Sequence, residues 1–286
     1  MNVRVKFAKY GAVKFIGHLD VMRYFQKANR RAELNIVYSQ GFNPHQIMSF
    51  AAPLGVGLTS DGEYVDLELH EMDTPEEMIK RLNATMNEGF LITGFKELPD
   101  PLPNQRKETA MSLVAAADYL VSVKDGYEIV TKDGALSKEE FERLFGEFYA
   151  KEDITILKKT KKSEKEVDIK PFIYQADFTK ESFYANNECK TEVADGTVHA
   201  QSYENGKKLY LKLATGSVTN LKPELVMEAF CQAIGAEFNE YAYQYHRMET
   251  YANIAYRGMT QAQITKATEE NTLPPRKLVP LMDANL

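Results

Sequence analysis

Glu63 to Leu98 reads EYVDLELHEMDTPEEMIKRLNATMNEGFLITGFKEL, and the succession of patterns within it decides the fold. Val65, Leu67 and Leu69 alternate with Asp66 and Glu68, the period-2 signature of a strand with one wet face. Thr74 Pro75 Glu76 Glu77 supplies a cap, a proline at the first helical position and a capping-box glutamate, which predicts a helix to about Asn87. Phe90 to Leu98 returns as a strand.

Working outward toward the N-terminus, Val3, Val5 and Phe7 alternate with Arg4, Lys6 and Ala8 and read as a first strand. After the Gly11 turn, Leu19, Met22, Phe25, Ala28 and Ala32 recur at three and four spacing and predict a helix over 18–34. Ile36 to Gln40 reads as a short strand. The resulting β-α-β-β-α-β order over residues 1–98 is that of a ferredoxin-like unit, one sheet covered on one face by two helices.

Toward the C-terminus, Pro99, Pro101 and Pro103 mark a stiff linker over 99–106. A second unit follows over 107–252. Leu113 to Val123 reads as a strand, Ser137 with Glu140 caps a helix through Phe141, Leu144, Phe145 and Phe148, and extended runs follow at 154–157 and 167–175. Asn205 Gly206 predicts a hairpin joining 197–203 to 207–213. Pro223 opens a helix to about Ile234, and Tyr241 to Met248 reads as a strand. The expected fold is α+β, two tandem ferredoxin-like units with a β-hairpin inserted in the second. Residues 253–286 carry a thinning apolar pattern and are expected to be disordered or a docking arm.

Composition narrows the function. The 286 residues are 44% hydrophobic and 27% charged, ordinary for a globular protein. The start carries no signal-like apolar run and no stretch approaches a membrane span, so a cytoplasmic protein without membrane contact is expected. Cys189 and Cys231 stand far apart and form no metal or cluster motif. No cofactor or metal is expected, since Walker, GxSxG and dinucleotide patterns are missing and His18, Asp20 and His45 lack the spacing of a ligand set.

The net charge of −6 is unevenly divided. Residues 1–50 carry Arg4, Lys6, Lys9, Lys14, Arg23, Lys27, Arg30 and Arg31 against Asp20 and Glu33, a balance of +6 that leaves −12 for the remainder. Such segregation points to an anionic partner for the N-terminal face. On a helical wheel Arg23, Lys27, Arg30 and Arg31 share one stripe, opposite the apolar one.

The densest cluster of unusual polar residues follows that helix: Tyr38, Ser39, Gln40, Gly41, Phe42, Asn43, Pro44, His45. Its hydroxyl, amide and imidazole groups can bond phosphates or base edges, and Tyr38 or Phe42 can stack a base. Lys158 to Lys165 forms a second basic run. His70, His199 and His246 stand isolated and read as structural. Asp195 to Ala200, DGTVHA, lacks the arginine and aspartate placement of a pseudouridine synthase.

These residues together resemble the radical-SAM-linked protein family, a domain of unknown function found alone or fused behind cobalamin-binding radical SAM proteins. The likeness runs through Lys14 to Asp20, Arg30 Arg31 Ala32, Tyr38 to His45, Ser49 Phe50, Pro53 Leu54 Gly55 and Glu63 to Asp66. It continues at Val167 to Pro171, Gly216 Ser217 and Asn220 to Glu224, and departs at Gln46, where members usually carry proline. The resemblance implies a radical SAM enzyme as partner and RNA as the anion, with the chemistry in the partner and this chain presenting the substrate. It supplies no catalytic residues. Two alternatives stand beside it: a metal-independent endoribonuclease resembling CRISPR repeat-cleaving enzymes, with His18 or His45 as acid or base, and a protein scaffold.

Overall fold

The structure is a computed structural model that describes residues 1–100, 108–159, 164–185, 195–216, 219–270, 272 and 274–284. Pro101, Pro103, Lys161, Lys162 and Cys189 lie outside the described residues, and with them most of the expected linker and the centre of the second basic run.

The N-terminal half contributes β1 (Asn2–Lys9), α1 (His18–Arg31), β2 (Met48–Phe50), β3 (Thr59–Glu68), α2 (Pro75–Asn83) and β4 (Phe90–Leu98). β1 lies between β3 and β4, antiparallel to both, with Val5 opposite Val65 and Phe95. β2 pairs antiparallel with β3, Met48 opposite Leu67. The C-terminal half contains α3 (Ala110–Leu113), β5 (Val114–Val123), a small ribbon of β6 (Val130–Thr131) and β7 (Gly134–Ala135), and α4 (Lys138–Tyr149). A hairpin of β8 (Thr155–Lys159) and β9 (Glu164–Asp168) precedes β10 (Ile173–Asp177), α5 (Lys180–Ala185), β11 (Lys208–Ala214), α6 (Pro223–Ala233) and β12 (Tyr243–Asn253). α7 (Gln261–Glu269) and β13 (Leu278–Pro280) close the chain.

One sheet runs through both halves in the order β10-β11-β5-β12-β3-β1-β4. Every pairing in it is antiparallel except that of β12 with β3, where His246 faces Thr59 and Arg247 faces Ser60. The molecule is thus a mixed α+β fold on a large, mostly antiparallel sheet, with seven α-helices among the described residues. No described helix is long and apolar enough to cross a membrane.

Each half has its own core. Val21, Phe25 and Ala28 of α1 are buried, and Phe25 meets Phe7 of β1 at 4.7 Å and Phe50 of β2 at 5.5 Å between ring centroids. In the second half Phe141, Phe145 and Phe148 of α4 face α6, with Phe145 and Phe230 at 5.1 Å. The Ser137–Glu140 box forms reciprocally, whereas at Thr74 only half of the box forms: Glu77 N donates to Thr74 Oγ1, and the Glu77 carboxylate turns to Lys80 at 3.5 Å.

Several expected boundaries move. α1 stops at Arg31 because Glu33 enters the left-handed region at φ 54°, where Leu34 N returns to Asn29 O and closes the helix. α2 stops at Asn83, whose side chain both donates to Ile92 O and accepts from Ile92 N, doing for β4 what a strand neighbour would. The hairpin expected at Asn205 Gly206 does not form. The turn is made, with Gly206 at φ 66°, but Asn205 Nδ2 bonds Val123 O and Asp125 while His199 upstream bonds Asp61 of β3, so residues 197–203 form no strand against β11. Of the segment after residue 253, residues 278–281 pack on the sheet: β13 pairs with β12, Leu281 is buried, and Arg4 Nη1 donates to Leu281 O at 2.7 Å.

Candidate nucleic-acid interface

The N-terminal cations divide into two groups. Arg4 is buried and bidentate on Asp66 at 2.8 and 3.1 Å. Lys6 reaches Glu249 on β12 at 2.6 Å, and Lys14 reaches Gln244 at 3.2 Å. Lys9 is buried near Glu63; burial lowers its ammonium pKa despite that carboxylate. Of these four, Lys6 and Lys14 join the two halves, through Glu249 and Gln244. The other four, Arg23, Lys27, Arg30 and Arg31, are exposed on α1. Arg23 shares a solvent-facing pair with Asp20 at 3.4 Å, a contact weak enough in water to yield to another anion. Arg31 donates to Thr85 O at 2.8 Å and lies over the Tyr24 ring, which draws it toward the end of α2. Lys27 and Arg30 make no ion pair among the described residues.

The Tyr38–His45 loop is cinched at its neck. Ser39 N donates to His45 O at 2.8 Å, Ile47 N to Val37 O at 2.9 Å, and Tyr38 bridges Gln46. Ser39 Oγ accepts from His45 N at 3.1 Å and lies 2.8 Å from His45 Nδ1. Nδ1 also lies 3.5 Å from Asn43 O, so loop groups hold the ring at Nδ1 and leave Nε2 at its outer edge. Gly41, at φ 116°, makes the tip possible. Phe42 stands at that tip fully exposed, and Tyr38, Gln40, Asn43 and His45 are exposed around it.

Gln46 fixes the loop to the helix. It is buried, accepts from Asn29 Nδ2 at 3.1 Å and donates to Gln26 O at 3.0 Å, both on α1. On the helical wheel Gln26 lies about 40° from Arg30 and about 60° from Arg23, so the anchor sets the loop along the edge of α1 nearest those two cations. Gln46→Ala leaves Asn29 without its partner and is expected to cost about 1–2 kcal/mol, with hydrogen exchange in 38–47 accelerating more than in β3 as the check.

The remaining sequence candidates are dispersed. His18 stands edge-on to Phe50 at 5.2 Å, Asp20 pairs with Arg23, and His45 pairs with Ser39. A surface hollow of about 450 Å³ lies between α4 and α6, lined by Phe148, Lys151 and Gln232, and contains none of the loop residues.

His199 and His246, isolated in sequence, meet at Asp61. His199 Nδ1 lies 2.5 Å from Asp61 Oδ1 and His199 N donates to Asp61 Oδ2 at 2.9 Å. His246 Nε2 approaches Asp61 Oδ2 at 3.3 Å and Gly196 O at 2.8 Å, with its Nδ1 2.8 Å from Thr59 Oγ1. Burial raises the Asp61 pKa, but the hydrogen bonds from His246 and His199 outweigh it and hold the carboxyl below its ordinary value. Nothing in sequence spacing announces this cluster, since 138 residues separate Asp61 from His199. The depressed carboxyl fixes the sign of its pH dependence: Asp61 stabilises the fold above the unfolded carboxylate pKa of about 3.9, and that contribution is lost as pH falls through the lower folded value. Acid titration of Asp61→Asn beside the parent is expected to show the two curves converging below about pH 4.

Residues 2–223 match the model of a family described as "Uncharacterized protein conserved in bacteria (DUF2344)". No curated protein matches the chain.

Proposed function

The chain belongs to the DUF2344 family, and from that premise we propose that it is an RNA-binding accessory protein that presents its substrate to a radical SAM enzyme. The observation that carries the RNA reading is Phe42, a phenyl ring wholly in water at the tip of a cinched loop, anchored along the edge of α1 nearest Arg23 and Arg30. Burial in a partner would recover the hydrophobic free energy that exposure of such a ring forgoes. An unpaired base offers it a π face while the neighbouring cations meet the phosphates. The His45 imidazole and the Asn43 and Gln40 amides supply base-edge contacts at the same tip.

The radical SAM partner rests on the sequence resemblance through Tyr38 to His45 and Lys14 to Asp20, and the substrate is tRNA, rRNA or a ribosomal particle. The repeated strand order, β4-β1-β3-β2 in the first half and β12-β5-β11-β10 in the second, supports reading the architecture as two tandem ferredoxin-like units with β8–β9 as the insertion. Fluorescence titration of labelled single-stranded RNA against the purified chain at several salt concentrations tests the function. Saturable binding with a steep inverse salt dependence is expected, and salt-insensitive or undetectable binding refutes it. Co-purification with and without RNase separates a partner held directly from one bridged by RNA.

A further inference from the structure

The Asp61 cluster has the form of a proton-transfer device. Asp61 is buried and ionised, receives two hydrogen bonds from His199, and so fixes that imidazole as the Nδ1–H tautomer. The Nε2 lone pair is then free to accept a proton, and no hydrogen bond to Nε2 is made among the described residues. The His199 side chain is 17% exposed, and the Tyr10 ring stacks on it at 4.0 Å, holding its plane. His246 closes the far side of the carboxylate: its Nε2 donates to Gly196 O, leaving Nδ1 to accept from Thr59. Among the described residues neither His18 nor His45 bonds a carboxylate.

Two lysines lie further along the strand that carries His246. Gln244 and His246 lie two residues apart on β12, which places them on one face about 7 Å apart. At Gln244 stands Lys14, its ammonium also over the exposed Phe15 ring at 5.3 Å. Lys124, bonded to Tyr241 O at 3.0 Å, is close to Lys14: burial, then repulsion from Lys14, lowers its pKa. Two half-buried ammonium groups, one of them over an exposed aromatic ring, are suited to a phosphate and its attached base.

We propose that His199 is a general base acting on a ribose 2′-hydroxyl of bound RNA, with Lys14 and Lys124 holding the adjacent phosphate and Asp61 as the positioning residue. The reaction needs no metal or oxidant. Nε2 takes the 2′-hydroxyl proton, the 2′-oxygen attacks phosphorus, and the bond to the 5′-oxygen breaks. The departing oxygen takes a proton from water, and His199 returns its own proton to solvent. The products are a 2′,3′-cyclic phosphate and a 5′-hydroxyl. This inference rests on the RNA reading above but uses a different surface, at the seam between the halves.

The test incubates the full chain with an end-labelled, mixed-sequence single-stranded RNA in EDTA and follows both retention and cleavage. Cut products ending in a 2′,3′-cyclic phosphate are expected, and a single 2′-deoxy substitution at a cut site should abolish that cut. His199→Asn can still donate to Asp61 through its amide; it should retain RNA within twofold of the parent and lose at least about a hundredfold in cleavage rate. Asp61→Asn removes the charge behind the imidazole and should move the acid limb of the pH–rate profile to lower pH, which a purely structural role would leave in place. RNA retained but uncut, or cleavage undiminished in His199→Asn, overturns the proposal and leaves the binding function standing. RNA neither retained nor cut overturns both.

Discussion

Replacing Arg23, Lys27 and Arg30 together by alanine is expected to weaken single-stranded RNA binding about a hundredfold at 0.1 M salt. The size follows from counterion release. Each lost phosphate contact on a single strand removes about 0.7 from the slope of log K against log salt. Three contacts therefore remove about 2, which amounts to about two decades between 1 M and 0.1 M. All three side chains are exposed on α1 and none is used by the core, so the melting temperature should stay within a few degrees of the parent. Arg31→Ala provides the internal contrast, because its guanidinium is engaged by Thr85 O and Tyr24. It should cost less affinity and more stability than any of the three alone. Salt titrations of parent and variants give both slope and intercept; an unchanged slope in the triple variant would place the phosphate contacts elsewhere.

Gly62→Ala should destabilise the protein by about 3 kcal/mol. A Cβ at this position would lie 2.5 Å from Glu249 Cα, 2.8 Å from Glu249 N and 2.9 Å from Met248 O. All three are backbone atoms of β12, so no side chain can rotate to make room, and β3 and β12 must separate. That separation strains the contacts crossing the junction: Thr250 Oγ1 to Gly62 O at 2.8 Å, Tyr64 Oη to Glu249 at 2.7 Å, and the buried Arg247–Glu63 pair at 2.9 Å. A buried pair left with poor geometry costs more than it contributes when well made. Gly146→Ala, in α4 with open space around its Cβ, is the control and should stabilise by about 0.5–1 kcal/mol. Urea denaturation midpoints separate the two. A Gly62→Ala protein as stable as its parent would mean that the strands approach less closely than described.

What the sequence made legible was local. The Thr74–Glu77 and Ser137–Glu140 caps work within four residues, and both helices start where those signals place them. β1 and β4 show their alternation because each puts apolar residues against the helices. β12 was legible only in part: the expected strand ends at Met248, whereas the observed one continues to Asn253. Its buried Arg247, Glu249 and Thr250 look solvent-facing until Glu63, Lys6, Tyr64 and Gly62 arrive from far away in sequence.

The N-terminal charge count mixed two jobs for the same reason. Arg4, Lys6 and Lys9 are spent on internal contacts, Lys14 sits half-buried against Gln244, and the four exposed cations of the balance of +6 are those of α1. The Tyr38–His45 loop was legible as a constrained polar segment because glycine and proline state their constraints locally. Its anchor at Gln46 was not, since an amide is indistinguishable from a surface residue until Asn29 and Gln26 are beside it. In the C-terminal half, Leu278 and Leu281 are buried under a stretch that composition alone reads as loose.

Photocrosslinking of the purified chain to 4-thiouridine-substituted single-stranded RNA, with the adducts mapped by mass spectrometry, tests the central claim most directly. The expected result is a dominant adduct in the peptide carrying Tyr38 to His45, with Phe42 as the principal site and loss of that adduct in Phe42→Ala. Adducts confined to other faces, or equal yields in parent and Phe42→Ala, would contradict the account.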